Sequence, residues 1–234
     1  MVKFRSLLLA SLAAAGLATA AYAATFSFDP TAPGFAYTNE FTRYAEADWT
    51  LTTTEAGAGS ATEALTTLDG GGLLITNDAA DDDRDFYQTA QLVKYDSTKR
   101  LFFKARFKIS DATQSDFVFG LQITDTTPLA VSNGIWFQKD DGDANIDFHV
   151  AAASVQTDVT ALATVTADTF VTLAFYYDPS AAKIVYFVND VAVGSAAITN
   201  APSSQELAIS FGLQNGEAVA KTMTVDYITV YKER

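Results

Sequence analysis

The chain has no cysteine and a single histidine among its 234 residues. Without cysteine there are no disulfide bonds and no thiolate metal sites, so stability must come from packing of the core. A single histidine also argues against a zinc-type centre, which uses several nitrogen or sulfur ligands. Basic side chains are scarce too, because 15 Lys and Arg face 28 Asp and Glu and leave a net charge of −13. Since nucleic acids are bound by clustered Lys and Arg, the composition argues against a nucleic-acid partner.

Apolar and aromatic residues, in contrast, are abundant. Hydrophobic residues make up 49% of the sequence, which contains 17 Phe and 10 Tyr. Aromatic and β-branched side chains favour pleated, half-buried surfaces. The length fits one large β domain, which runs to roughly 200–250 residues. We therefore expect residues 24–234 to form a single domain.

The first 23 residues differ from all that follow. Lys3 and Arg5 precede an apolar run over 7–20, and the segment ends in Ala-Tyr-Ala. A basic start, an apolar centre and small residues before the cleavage point are typical of a secretory signal peptide, here with cleavage after Ala23. The run is too short and too rich in alanine for a membrane span. The alternative is an uncleaved helical arm that anchors the protein on a partner, and the sequence leaves both interpretations open.

Alternation of apolar and polar residues dominates the rest of the chain. In 100–109 every odd-numbered residue is apolar and the even-numbered residues are mostly basic. Successive side chains of a strand point to opposite faces, so this pattern predicts a strand with one face on the core. Similar patterns occur at 117–123, 171–175 and 184–188. The acidic stretch 77–85 is expected to be a turn, and Asn189-Asp190 is expected to form a hairpin turn. About a dozen such strands, with turn residues between them and no helical period after residue 24, predict an antiparallel sandwich or jelly roll.

The tetrapeptide Phe-Gly-Leu-Gln occurs twice, at 119–122 and at 211–214. We expect both copies to be core strands of one sheet, with Phe and Leu pointing inward and Gly outward. An outward glycine flattens that face and lets another group approach closely.

Two segments resemble known folds. The strand 224–231, with Val-Asp-Tyr-x-x-Val-Tyr, resembles the closing strand of laminarinase-type glycoside hydrolases. The segment 171–194 is similar to a strand, turn and hairpin of laminin-G-like and lectin-like domains. Together they imply an all-β, antiparallel β-sandwich of the concanavalin A-like jelly-roll type, preceded by the apolar helical segment.

A broader resemblance covers nearly everything after residue 35. The order of GG-x-L-x-ITNDAADDD, GLQITDTTPL, KDDGD and TVDYI is similar to that of tailed-phage virion proteins, especially from aquatic phages. It implies a non-enzymatic capsid decoration or outer-surface jelly roll on the virion. Such a protein contacts other virion proteins, such as the major capsid protein, or itself, with weak binding of host surface glycans as an added role. The alternative hypothesis is a secreted or periplasmic lectin-like protein that binds carbohydrate.

The laminarinase resemblance also specifies what catalysis would require. Those enzymes carry Glu-x-Asp-x-Glu or Glu-x-Asp-x-x-Glu on one strand, and retention needs two carboxyl groups about 5–5.5 Å apart. The matching positions here are Asn145, Asp147 and His149, so both outer carboxylates are missing. His149 has no serine or cysteine partner in a triad pattern and is expected to be a hydrogen-bonded surface histidine. The sequence therefore predicts a protein without catalytic residues that is not an enzyme.

Strand parity predicts a ligand-binding face in the same region. If Ile135, Phe137, Ile146 and Phe148 point to the core, the residues between them point outward. A tryptophan beside amide and carboxylate groups offers the stacking surface and hydrogen bonds that sugars use. The alternative is a solvated face whose tryptophan packs under a loop. The candidate ligand-binding residues are Trp136, Gln138, Gln122, Asn145, Asp147 and His149.

Two acidic clusters are candidates for calcium, the one cofactor that the sequence suggests. Ca²⁺ takes roughly six to eight oxygen ligands, many of them from irregular loops. Asp-rich turns with glycine are also ordinary turn chemistry, so a plain turn is the alternative. The clusters are Asp78, Asp81, Asp82 and Asp83, and Asp140, Asp141 and Asp143.

Overall fold

A computed structural model describes residues 33–234. In chain order its strands are β1 (Gly34–Asn39), β2 (Thr50–Thr54), β3 (Thr62–Leu65), β4 (Leu73–Thr76), β5 (Arg84–Gln88), β6 (Val93–Lys94), β7 (Leu101–Ile109), β8 (Ser115–Gln122), β9 (Gly134–Lys139), β10 (Asn145–Ala152), β11 (Val155–Thr164), β12 (Val171–Asp178), β13 (Lys183–Val188), β14 (Val191–Ala197), β15 (Glu206–Asn215) and β16 (Thr222–Glu233). Two 3-10 turns, Glu46–Asp48 and Pro128–Ala130, accompany them. No helix within 33–234 is long and apolar enough to cross a membrane. The predictions for residues 1–23 lie outside the described residues.

The strands form two antiparallel sheets of eight strands each. The first sheet has the order β14-β13-β12-β7-β16-β4-β3, with β1 paired to β16 as well. The second has the order β11-β10-β9-β8-β15-β5-β2, with β6 paired to β15. Consecutive strands thus cross repeatedly between sheets, and the prediction of an antiparallel β-sandwich of the jelly-roll type is confirmed.

The core between the sheets is rich in aromatic rings, as the composition suggests. The apolar residues of β7 alternate with its basic residues and are buried, so the predicted inward face is confirmed. Phe107 on the first sheet stacks on Phe119 of the second with ring centroids 3.9 Å apart. Phe119 in turn stacks on Phe211 at 5.8 Å. Such ring pairs add to the burial of apolar area that holds the two sheets together.

The repeated tetrapeptide lies on neighbouring strands, as predicted. In the pairing of β8 with β15, Phe119 is directly opposite Phe211. The outward glycines make room for side chains of the same sheet and not for an outside group. A Cβ atom on Gly120 would lie 2.5 Å from Trp136, and one on Gly212 would lie 2.5 Å from the Phe86 ring.

One strand differs from the sequence prediction. The acidic stretch 77–85, expected to be a turn, already enters β5 at Arg84, and Asp85 is buried there. Strand β11, for which no pattern was identified in the sequence, is an edge strand whose residues are exposed or half-buried. The predicted hairpin turn at Asn189 and Asp190 is confirmed, and both residues have positive φ, at 49° and 64°.

Candidate functional site

The predicted ligand-binding residues gather on the outer face of the second sheet. Ile135, Phe137, Ile146 and Phe148 are buried in the core, as the parity argument requires. In the pairing of β9 with β10, His149 is opposite Trp136 and Asp147 is opposite Gln138. Gln122 lies on the same face at the end of β8, and Asn145 begins β10. The structure therefore brings these six side chains onto one sheet face.

This face is covered by a segment of the chain itself, residues 123–133, which we call the strap. Gln88 holds it with two hydrogen bonds, because its amide donates to the carbonyl of Ile123 at 3.2 Å and its Oε1 accepts from the Asp125 N–H at 3.0 Å. The Gln122 amide donates to the carbonyl of Pro128 at 2.9 Å. Gln88 and Gln122 are fully buried. Two of the outward glutamines thus bind the strap and not solvent.

The underside of the strap is apolar and forms a second small core. Its residues Ile123, Leu129 and Val131 pack on apolar side chains of the sheet, namely Phe86, Val118, Trp136 and Ala151. Trp136 is 1% exposed. In this conformation neither face of its ring can stack on a sugar, and the arrangement matches the alternative in which the tryptophan packs under a loop. Ligand binding by this residue stays a prediction, and it requires displacement of the strap.

Trp136 heads a chain of hydrogen bonds that ends at the second acidic cluster. Its indole N–H donates to Gln138 Oε1 at 2.8 Å, and the Gln138 amide donates to Asp140 Oδ1 at 2.7 Å. Gln138 is buried. Both polar atoms of the Gln138 amide are therefore engaged by neighbours of the same sheet.

His149 is buried, so the expectation of a surface histidine is wrong. Its ring lies 5.1 Å from that of Trp136. Its Nδ1 is 2.7 Å from Asp158 Oδ1 and 2.9 Å from Gln156 Nε2, and Nε2 is buried without a partner among the described residues. A histidine oriented by a carboxylate supplies two of the three members of a catalytic triad, but within residues 33–234 no serine or threonine hydroxyl contacts Nε2 of His149.

The outward residues of β10, Asn145, Asp147 and His149, form a stripe on this face. Asn145 and Asp147, at the other end of the stripe from His149, are half-buried. The Asn145 side chain donates to Asp143 Oδ2 at 2.8 Å. Asp147 Oδ1 accepts from the backbone N–H of Ala161 at 2.7 Å. Asp147 thus has a structural role in β11, and the stripe contains no second carboxylate beside it that could complete a glycosidase pair.

The first acidic cluster closes two loops. Asp78 Oδ2 accepts from the Gly59 N–H at 2.7 Å, and Asp83 accepts from the N–H groups of Ala56 at 3.1 Å and Asp78 at 2.9 Å. Asp82 accepts from the Gln214 amide at 3.1 Å, while Asp81 is exposed. Over residues 33–234, no group of three or more acidic or histidine side chains converges on a point where a metal ion could be held.

The second acidic cluster lies beside a buried ammonium group. Lys139 is 1% exposed, and its Nζ donates to the backbone carbonyls of Thr113, Ser115 and Asp140. Burial lowers the pKa of Lys139. Carbonyl oxygens from irregular loops are ligands that Ca²⁺ also uses. Here the Lys139 ammonium group already takes the place of such an ion, because it donates to these carbonyl oxygens.

An open groove lies elsewhere, and the sequence did not reveal it. Its volume is about 720 Å³, and it is lined by the second half of β1, the connection from 42 to 49 and the turn that follows β5. Tyr37 and Trp49, both half-buried, form its aromatic walls. These segments are far apart in the sequence, so no local motif marks them. The one signal available in the sequence was Trp49, a large aromatic residue directly after the acidic residues Glu46 and Asp48.

No family model and no curated protein matches the sequence. Solved structures do match. Over 88% of this chain and 99% of the other, the fold is similar to an endo-1,3-beta-glucanase from Streptomyces sioyaensis, with a TM-score of 0.60 and 14% identity. The potassium-bound carbohydrate recognition domain of Emp46p matches over 82% and 94% of the two chains, with a TM-score of 0.57 and 10% identity. An endo-beta-1,4-glucuronan lyase from Trichoderma reesei matches over 84% and 94%, with a TM-score of 0.52 and 11% identity.

These similarities define the class of fold. The described chain is a concanavalin A-like jelly roll of the kind found in lectins and glucanases. At identities of 10–14% the likeness concerns the fold alone, and the function has to be argued from the side chains.

Proposed function

We propose that the protein is a non-catalytic, lectin-like jelly roll that binds glycans. The observation that carries the proposal is the stripe on β10, where Asn145 and His149 stand in place of the two carboxylates of a glycosidase. Glycoside hydrolysis of the two-carboxylate type requires both groups. The fold, shared with a carbohydrate recognition domain and with glucanases, supports carbohydrate as the ligand class.

Enzymatic activity is tested first, because glucanases and a lyase share the fold. Purified protein is incubated with β-1,3-glucan and with a uronate polymer, and reducing ends and unsaturated products are measured. We expect neither product above a heat-denatured control. Product formation that disappears in His149→Ala, with unchanged thermal unfolding, would show that the oriented histidine acts as a base and would overturn the non-catalytic assignment.

Glycan binding is tested on an array with the full-length protein. The proposal expects a saturable, reproducible signal for at least one glycan class. No signal on the array, combined with no binding to insoluble polysaccharides in a pull-down, would contradict it.

A second candidate role is a decoration or outer-surface protein of a virion. It is favoured by the order of sequence segments that resembles tailed-phage virion proteins, and glycan binding by such a protein would engage the host surface. Mass spectrometry of the N-terminus distinguishes the two settings. An intact Met1 or Val2 in purified particles supports the virion role with an anchoring arm, whereas a start at Ala24 supports the secreted lectin-like protein.

A further inference from the structure

We infer that the glycan site is the groove beside β1, and that its ligand is a neutral oligosaccharide. This inference rests on the proposed function, because it names the site and the ligand class of the same activity. The groove is distinct from the outer face of the second sheet, which the strap fills. Its volume of about 720 Å³ lies within the range of small-ligand sites, roughly 300–1,000 Å³.

The aromatic wall is rigid. Trp49 contacts the core through Phe211, with ring centroids 5.2 Å apart, and through Phe41 at 6.2 Å. It also meets the Tyr87 ring edge-on at 6.3 Å. These contacts hold the indole in place while part of it faces the groove. Because the ring is already ordered, a ligand that packs on it costs little side-chain entropy.

Four polar side chains of the groove, Glu40, Arg43, Asp48 and Trp49, are free to bind a ligand. Among the described residues, none accepts a hydrogen bond from the Trp49 indole N–H, and none pairs with the charged groups of Glu40, Arg43 or Asp48. The side chains of these three charged residues are exposed. On the covered face, by contrast, the glutamines and the Trp136 indole are already hydrogen-bonded. The groove thus presents unpaired charged groups that are exposed, whereas the unpaired atoms of the covered face, His149 Nε2 and Gln122 Oε1, are buried.

Tyr37 contributes a further hydroxyl to the lining of the groove. Asn39 fixes it from below, because the Asn39 amide donates to the Tyr37 hydroxyl oxygen at 3.4 Å and Asn39 Oδ1 accepts from the Phe41 N–H at 2.8 Å. Burial raises the pKa of Tyr37, and the charge of Asp48 acts in the same direction. Both effects favour the neutral hydroxyl, which can still donate a hydrogen bond while its oxygen accepts one from Asn39.

The turn between Glu40 and Thr42, two residues that line the groove, contains a residue in an unfavourable backbone conformation. Phe41 has φ of 49°, a value that is rare for a bulky residue, and its side chain is 1% exposed. The Gly72 N–H donates to the Phe41 carbonyl at 3.3 Å and helps to hold the turn. The turn places Glu40 and Thr42 on the groove. Strain of this kind persists where surrounding structure enforces it and concentrates at ligand sites.

This combination of groups fits a neutral sugar. Carboxylates accept hydrogen bonds from sugar hydroxyls, while the guanidinium and indole N–H donate to sugar oxygens. The aromatic walls match the apolar patches of pyranose rings. An anionic polysaccharide is disfavoured, because two carboxylates flank one guanidinium in the groove and the whole chain has a net charge of −13.

The test compares matched variants of the full-length protein on the glycan that the wild type binds best on the array. Arg43→Ala, Asp48→Asn and Trp49→Phe alter the groove, and the last keeps the ring contacts while removing the indole N–H. Lys183→Ala and Asp141→Asn change exposed charges elsewhere and serve as controls. Asn145→Ala and Asp147→Asn alter the open end of the β10 stripe. Affinity is measured by calorimetry, and folding is checked by thermal unfolding.

The inference expects each groove variant to lose tenfold or more in affinity, with control and stripe variants within twofold of the wild type. If the stripe variants lose binding and the groove variants do not, the groove is not the site, while the proposed function stands. If the wild type binds no glycan at all, the inference fails together with the proposed function. If the wild type prefers anionic over neutral glycans by tenfold, the ligand class is wrong.

Discussion

The two tryptophans of the chain mark two contrasting regions. Trp136 projects from the outer face of the second sheet, yet it is 1% exposed under the strap. Trp49 lies in an irregular connection, contacts the core with one side and faces an open groove with the other. Both have aromatic neighbours and nearby polar groups. The difference is that the Trp136 indole N–H is hydrogen-bonded to Gln138 and lies under the strap, whereas Trp49 lines a groove together with the exposed, unpaired charges of Arg43 and Asp48.

This contrast teaches that the direction of a side chain and its availability are separate properties. Strand parity determines that Trp136 points away from the main core. A segment outside the strand determines whether anything can reach it. The strap supplies three apolar residues, Ile123, Leu129 and Val131, that turn a potential binding face into a second core.

Removal of the buried Trp136 ring gives the largest expected loss of stability. Trp136→Ala should lower the free energy of unfolding by about 3–5 kcal/mol, because it leaves a cavity beneath the strap. Urea unfolding followed by circular dichroism measures the loss. A loss below about 1 kcal/mol would mean that the ring is not packed as described, and would break the contrast with the groove.

The attachment of the strap is tested next. Gln88→Ala removes both hydrogen bonds to the strap and leaves the Ile123 carbonyl without that partner. We expect a loss of about 1–3 kcal/mol and faster hydrogen exchange over 123–133. The matched comparison is Arg43→Ala in the groove, which should change neither quantity. Equal exchange over the strap in wild type and Gln88→Ala would contradict the role given to Gln88.

The pH dependence of stability reports on two buried carboxyl groups of the second sheet. Burial raises the pKa of Asp85, on β5, to about 7 and that of Asp116, on β8, to about 6, from an ordinary 3.8. Between about pH 4 and 7 the folded protein holds protons that the unfolded chain has released, so its stability falls as pH rises through this window. Asp85→Asn should flatten this slope and add about 1 kcal/mol at pH 8.

The two carboxyls can be told apart in the same experiment. In Asp116→Asn the remaining dependence should follow Asp85 and extend to about pH 7, whereas in Asp85→Asn it should end near pH 6. Thermal unfolding across buffers of constant ionic strength measures both. A stability that rises steadily from pH 5 to 8 in the wild type would have the opposite sign and contradict the burial of these groups.

The smallest expected effect concerns calcium. The carboxylates of the first cluster cap loop N–H groups, and Lys139 engages the carbonyls beside the second. We therefore expect the melting temperature to change by less than about 1 °C between EDTA and millimolar calcium. A rise that is lost in Asp83→Asn would establish the first cluster as a calcium site, and one lost in Asp141→Asn the second.

The sequence predicted the fold and the orientation of the stripe because both depend on local alternation. The apolar residues of β7 and the core positions of β9 and β10 are spaced by two, and that period alone determines their faces. The hairpin turn at Asn189 and Asp190 could also be predicted, because these residue types tolerate positive φ.

What the sequence did not predict depends on contacts between distant segments. The strap has no period, and its apolar residues acquire meaning only when Gln88, from another strand, holds it on the sheet. The start of β5 was mistaken for a turn because Asp85 is charged in sequence but buried in the structure. The groove combines residues from β1, the connection after it and the turn after β5, so composition and spacing did not indicate it.

The contrast between the two regions is tested most directly by the fluorescence of single-tryptophan proteins, since the chain contains only two tryptophans. Trp49→Phe leaves Trp136 as the sole emitter, and Trp136→Phe leaves Trp49. We predict blue-shifted emission and weak acrylamide quenching for Trp136, and readier quenching for Trp49 that decreases when a bound glycan fills the groove. Strong quenching of Trp136 in the folded protein, or a glycan-dependent change confined to Trp136, would contradict the account.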